Sequence, residues 1–99
     1  MAKGDWRDSS QFEPVGSHVA GPTISSATTL TVPAGATKIM IQAITKNVRF
    51  TLDGTAPEAA KGFQLFAGDP PLVIPLGSGT VLKVIEEAAT ADLQYQFGS

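Results

Sequence analysis

Thr28-Thr29-Leu30-Thr31-Val32-Pro33-Ala34-Gly35-Ala36-Thr37-Lys38-Ile39-Met40-Ile41-Gln42-Ala43-Ile44-Thr45 is the stretch that decides the fold class. Residues 28–32 alternate with a period of two, as a strand with one buried face does. Pro33 to Ala36 follows as a turn, with Pro and Gly where turns favour them. In residues 37–45, Ile39, Ile41 and Ala43 share one face and Met40, Gln42 and Ile44 the other. Strand, turn and strand read as a hairpin. The second strand, largely apolar on both faces, reads as a central one covered on both sides.

The same period continues toward the C-terminus. After a turn at Lys46-Asn47, Val48, Phe50 and Leu52 point inward while Arg49 and Thr51 point out. Asp53-Gly54 ends that strand with a pair that tolerates positive φ. Thr55 to Lys61 is a loop with room for one helical turn over residues 57–60. Strands restart at residues 63–66 and 72–76, where Pro75 cannot donate to a ladder and marks an edge or a bulge. Gly77-Ser78-Gly79 is another turn, residues 80–86 are rich in β-branched side chains, and Leu93, Tyr95 and Phe97 alternate with polar neighbours. Seven or eight short strands joined by tight turns predict an all-β chain, a single antiparallel β-sandwich that is jelly-roll-like, with an up-and-down barrel as the alternative.

Toward the N-terminus the pattern stops. Residues 1–22 fit neither period, and Trp6 and Phe12 stand isolated among polar residues. They read as an extended N-terminal arm attached to a β-sandwich domain of residues 23–99. Such an arm either folds back to fill a gap in its own domain or reaches a neighbouring subunit.

Composition bounds the function. Ninety-nine residues with 42% hydrophobic content supply one core, so one domain is expected. Seven Lys and Arg against nine Asp and Glu leave a net charge of −2, without the positive excess that binds a phosphate backbone, and no nucleic-acid partner is expected. Charged residues are only 16% of the chain, against roughly a quarter in average soluble proteins. No apolar run has the length of a signal peptide or a membrane span, so no membrane partner is expected and the chain reads as made or assembled in a cytoplasm.

The inventory for catalysis is short. There is no Cys, His18 is the one histidine, and no Gly-x-Ser-x-Gly elbow occurs. Gly77-Ser78-Gly79-Thr80 lacks the Lys-Ser/Thr end of a phosphate loop. Glu86 and Glu87 are neighbours on a strand and point to opposite faces, so they do not share a proton or a cation. Asp53-Gly54-Thr55 lacks the spaced oxygen ligands of a calcium loop. No catalytic residue, metal or cofactor is expected.

Val48-Arg49-Phe50-Thr51-Leu52-Asp53-Gly54-Thr55-Ala56-Pro57, running on to Gly62-Phe63-Gln64-Leu65, resembles a group of small structural proteins of tailed bacteriophages. Their pattern is a strand entering an Asp-Gly-Thr-x-Pro turn, an Ala-rich loop and a Gly-Phe restart, which singles out Asp53, Gly54, Thr55, Pro57, Gly62 and Phe63 as a structural turn motif. Val84-Ile85-Glu86-Glu87-Ala88-Ala89-Thr90-Ala91-Asp92-Leu93-Gln94-Tyr95-Gln96-Phe97 looks like their closing hairpin. The resemblance implies a virion component without an active site, and within that class a capsid decoration, or cement, protein. That role implies a homo-oligomer, a trimer, bound to the major capsid protein at the capsid surface, with Trp6, Phe12 and Val15 as interface anchors. A tail or head-fibre position is the competing use. Residues 50–57 are also similar to the hairpin of Ig-like modules attached to chitin-degrading enzymes, which implies a glycan- or receptor-binding module.

Overall fold

A computed structural model describes residues 12–99; Trp6 lies outside the described residues. These residues form eight strands: β1 (Val19–Ala20), β2 (Thr28–Thr29), β3 (Lys38–Ala43), β4 (Val48–Thr51), β5 (Phe63–Leu65), β6 (Leu72–Pro75), β7 (Lys83–Glu86) and β8 (Leu93–Gly98). They make two four-stranded sheets, β1-β8-β3-β6 and β2-β7-β4-β5, with every pairing antiparallel. β1 pairs with β8, β2 with β7, β3 with β6 and β4 with β5, as in one long hairpin whose tip is β4–β5. Rolling that hairpin brings β8 onto β3 and β7 onto β4, which is the strand order of a jelly roll. An up-and-down barrel would pair each strand with its sequence neighbour, and only β4 and β5 do so.

The expected hairpin over residues 28–45 is therefore not one. β2 and β3 lie in different sheets, and the Pro33–Ala36 turn, closed by the Ala36 amide on the Pro33 carbonyl at 3.1 Å, carries the chain across the sandwich. Gly77 to Thr80 does the same between β6 and β7, and the loop after Glu86 does so between β7 and β8. A tight turn reverses the chain whether the next strand joins the same sheet or the facing one, so turn residues alone do not separate the two outcomes.

Burial on β3 alternates strictly. Ile39, Ile41 and Ala43 are buried between the sheets with Val48, Phe50, Ile74, Leu82, Val84, Leu93 and Phe97. Among the described residues no strand covers the second face of β3, contrary to expectation: Met40 and Gln42 are half-buried and Ile44 is 37% exposed. Thr51 departs the other way. It is buried, because its hydroxyl donates to the Thr55 carbonyl and the chain after β4 folds over it.

Part of the expected arm belongs to the sheet. The Glu13 amide donates to the Ser99 carbonyl and the Ser99 amide to the Glu13 carbonyl, each at 2.9 Å, and Val15 donates to Phe97 at 2.9 Å. The ladder is then interrupted, since Val19 rather than residue 17 faces Tyr95. Gln96 fills that break, its side-chain amide donating to the carbonyls of Val15 and Gly16. The expected domain boundary at residue 22 thus lies beyond β1, whose two residues are too few, and too close to the break, to show a period.

β6 is the outer strand of its sheet, as Pro75 foreshadowed. Leu76 donates to Thr37, and Gly68 to Ala43, so the odd-numbered residues of β3 bond toward this side. By the antiparallel alternation, positions 73 and 75 then turn their backbone nitrogens outward. Pro75 has no N–H to offer there, and neither has Pro71.

Ile41→Ala should lower unfolding free energy by about 2–5 kcal/mol, while Met40→Ala on the opposite face of the same strand should cost much less. Denaturant titrations of the two variants measure the difference. Equal losses would mean that both faces of β3 are covered.

Candidate functional site

The turn motif builds the end of the β4–β5 hairpin. Asp53 accepts the Thr55 amide at 3.0 Å, Gly54 takes φ +87°, and Gly54 donates to the Val81 carbonyl at 3.2 Å. Pro57 is fully buried. Glu58 and Lys61 exchange backbone hydrogen bonds, so the expected helical turn over residues 57–60 is a tight two-ended turn instead. Gly62 has φ +123°, and a Cβ there would lie 3.0 Å from the Phe50 carbonyl oxygen, so both conformation and space require glycine. Its own carbonyl accepts Arg49 Nη1 at 2.9 Å.

Around this turn lies an open groove of about 500 Å³, bordered by Thr51, Leu52, Asp53, Thr55, Lys61, Gly62 and Phe63. The hydroxyl and amide of Thr55 hold the Asp53 carboxyl below its ordinary value, with Lys61 adding a smaller pull. The groove thus carries a carboxylate, an ammonium group and an aromatic ring.

Phe63 leads from the groove onto the side of the sandwich where β5 and β6 end the two sheets. By register Phe63 faces inward with Phe50, their rings 5.5 Å apart, and Leu72 faces inward with Ile41. No described strand lies beyond either. Phe63 is 64% exposed, Leu72 44%, and Phe66 in the connection between them 53%. These large apolar side chains give the edge an exposed hydrophobic character that the rest of the described surface shares only at Ile44 and Val81. The sequence placed strands here, but its periodicity carried no signal that the sheets end at β5 and β6.

Of the expected anchors, the two among the described residues, Phe12 and Val15, lie elsewhere. Phe12 rests its ring on Gly98 of β8, where an added Cβ would come within 2.5 Å of it, and Val15 is half-buried beside Phe97. Both therefore contact their own sandwich, as in the fold-back reading of the arm.

The titratable groups singled out in the sequence are dispersed. His18 Nε2 meets the Gln94 side-chain oxygen at 2.9 Å. Glu86 and Glu87 diverge as the strand period requires: Glu86 accepts the Ala91 amide at 3.1 Å. Glu87 Oε2 accepts Arg49 Nε and the Gln64 amide, both at 2.6 Å, a half-buried cluster that ties β4, β5 and the end of β7 together. Burial raises the Tyr95 phenol above its ordinary value. Among the described residues no three His, Cys, Asp or Glu side chains gather as metal ligands, and no helix is long and apolar enough to cross a membrane.

Comparison with protein-family models, with curated proteins and with solved structures found no match to this chain.

Thr55→Val should move the Asp53 pKa up toward its ordinary value of 3.8. The sign follows from the depressed folded value: the turn's contribution is complete above the unfolded carboxylate pKa and is lost as pH falls through the folded one. A side-chain NMR pH titration of the two proteins measures it, and an unchanged midpoint would remove the hydroxyl from the account.

Proposed function

We propose that this protein is a non-enzymatic structural component of a tailed-bacteriophage virion, a capsid decoration protein that bridges major capsid protein subunits. The observation that carries the reading is the exposed apolar edge of Phe63, Phe66 and Leu72 on a domain this small. A decoration protein gains affinity from many modest contacts to several subunits, and more when it is itself an oligomer. A homotrimer on the capsid surface, assembled in the host cytoplasm, fits that requirement. The outer face of the β1-β8-β3-β6 sheet is a second surface of the same kind: along β3, β6 and β8 it carries Met40, Gln42, Val73, Pro75, Gln94 and Gln96, with Lys38 as its one charge. Low charge eases burial, because no ion has to be stripped of water to form the contact.

A second reading is favoured by the groove beside the turn motif. An aromatic ring flanked by Asp53 and Lys61 suits a hydroxyl-rich glycan, whose C–H face stacks while its hydroxyls hydrogen-bond. A tail or fibre adhesion module would use it so, and saturable binding on a glycan array, lost in Phe63→Ala, is what that reading requires.

Phe66→Asp combined with Leu72→Asp should abolish co-sedimentation with purified capsids while leaving the fold intact, at least a tenfold loss of bound protein at matched concentration. Light scattering in solution should give three chains per particle of the free protein. A double variant that binds capsids as the parent does would exclude this edge.

A further inference from the structure

β5 and β6 end the two sheets on the same side of the sandwich, and their backbones are left in opposite states. Along β6, Pro71 and Pro75 withhold their nitrogens, so that edge has little to offer a ladder. On β5 the outward groups follow from the strand behind it. The Glu87 amide donates to the Asn47 carbonyl at 3.0 Å, so Asn47, and by alternation Arg49, turns its backbone toward β7. Val48 and Phe50 then bond toward β5, where they face Leu65 and Phe63. Gln64, between those two, directs both its N–H and its C=O away from β4. Among the described residues no strand lies beyond it. The neighbouring carbonyls are engaged: that of Gly62 accepts Arg49 Nη1 and that of Phe66 accepts the Asp69 amide.

Openings for side chains flank this position. At the start of β5 lies the groove of about 500 Å³ that includes Lys61 and Phe63. Past its end an opening of about 180 Å³ enters between the sheets, bordered by Ile41, Leu65, Phe66, Asp69 and Leu72. Ile41 and Leu65 belong to the core, so an apolar side chain entering here meets the core itself. Lys61 and Asp69 put opposite charges at the two ends of the edge.

We infer that β5 takes up an extended segment of a partner protein as an added antiparallel strand, held by reciprocal backbone hydrogen bonds at Gln64. In strand addition the main chain supplies affinity and pockets for alternate side chains supply specificity. Antiparallel is the sense of every pairing in this fold. The period of two then sets the chemistry of the occupant. Its residue opposite Gln64 faces solvent, and the residues on either side, opposite Phe63 and Leu65, point inward and are apolar. The antiparallel run brings its N-terminal end to Asp69 and its C-terminal end to Lys61, so a basic residue leads and an acidic one trails. This way of meeting the edge is independent of the virion reading.

A capped peptide reading Arg-Thr-Val-Thr-Val-Thr-Glu has this pattern, with its central threonine opposite Gln64. Titrated into the isotope-labelled protein, it should shift the backbone amide signals of residues 62–66 and slow hydrogen exchange at the Gln64 amide. N-methylation of the central threonine removes the donor to the Gln64 carbonyl and leaves every side chain in place; it should weaken binding about tenfold or more. Gln64→Pro, at a position where an edge strand tolerates proline, should bind about tenfold more weakly than Gln64→Ala, which keeps the N–H. No binding at millimolar peptide overturns the inference. So does equal affinity of the N-methylated peptide, which reduces the contact to side chains. A Gln64 amide already protected in the protein alone, and losing that protection on dilution, assigns the edge to a second copy and overturns it too. Co-sedimentation with capsids is a separate readout, so the capsid reading stands or falls apart from these results.

Discussion

The six-residue ladder between β3 and β8, from Lys38 facing Gly98 to Ala43 facing Leu93, is the contact on which the rest of the molecule depends. It closes the roll. β8 presents Leu93 and Phe97 to the core on one face, and on the other presents Gln94, Gln96 and Gly98 to the incoming N-terminal segment. The same strand therefore organises both the hydrophobic interior and the polar attachment of residues 12–20. Its partner β3 carries three of the core's buried side chains and also holds β6 in place. Ladders between such distant segments are entropically costly to close, so the packing they bring together must be good enough to offset that cost.

On the facing sheet a polar cluster takes the organising role. Glu87 joins Arg49 and Gln64 from two adjacent strands, and Arg49 also holds the Gly62 carbonyl. The restart of β5 is fixed by that contact and by the absence of a side chain at position 62. The exposed edge is thus carried on a backbone that is held firmly from behind, and Phe63 and Phe66 project from a fixed platform.

What could be read from residues alone divides along a physical line. Direction along a strand is local, so the shared face of Ile39, Ile41 and Ala43, that of Leu93 and Phe97, and the tolerance of positive φ at Gly54 were legible, whereas Pro75 reads equally as an edge or a bulge and β3 reads as covered on both faces. Pairing is not local: Pro33-Ala34-Gly35-Ala36 makes the same turn within a sheet or across two, and only the packing of distant strands chooses. β1 was hidden because the ladder breaks near Gly16 and the period breaks with it. The apolar edge was hidden for the opposite reason. Phe63 and Leu72 have the pattern of core residues and face as core residues do, but the layer that would cover them is not part of this sheet order.

The two prolines on the rim of β6 bear on how such an edge behaves in a crowd. With Val73 the only residue between Pro71 and Pro75 able to offer an outward N–H, a foreign strand has almost no backbone ladder to extend. Whatever meets this rim must do so through side chains, in a contact that ends where the side chains end. Sheet extension along β6 is blocked, and the contact is bounded by the side chains that make it.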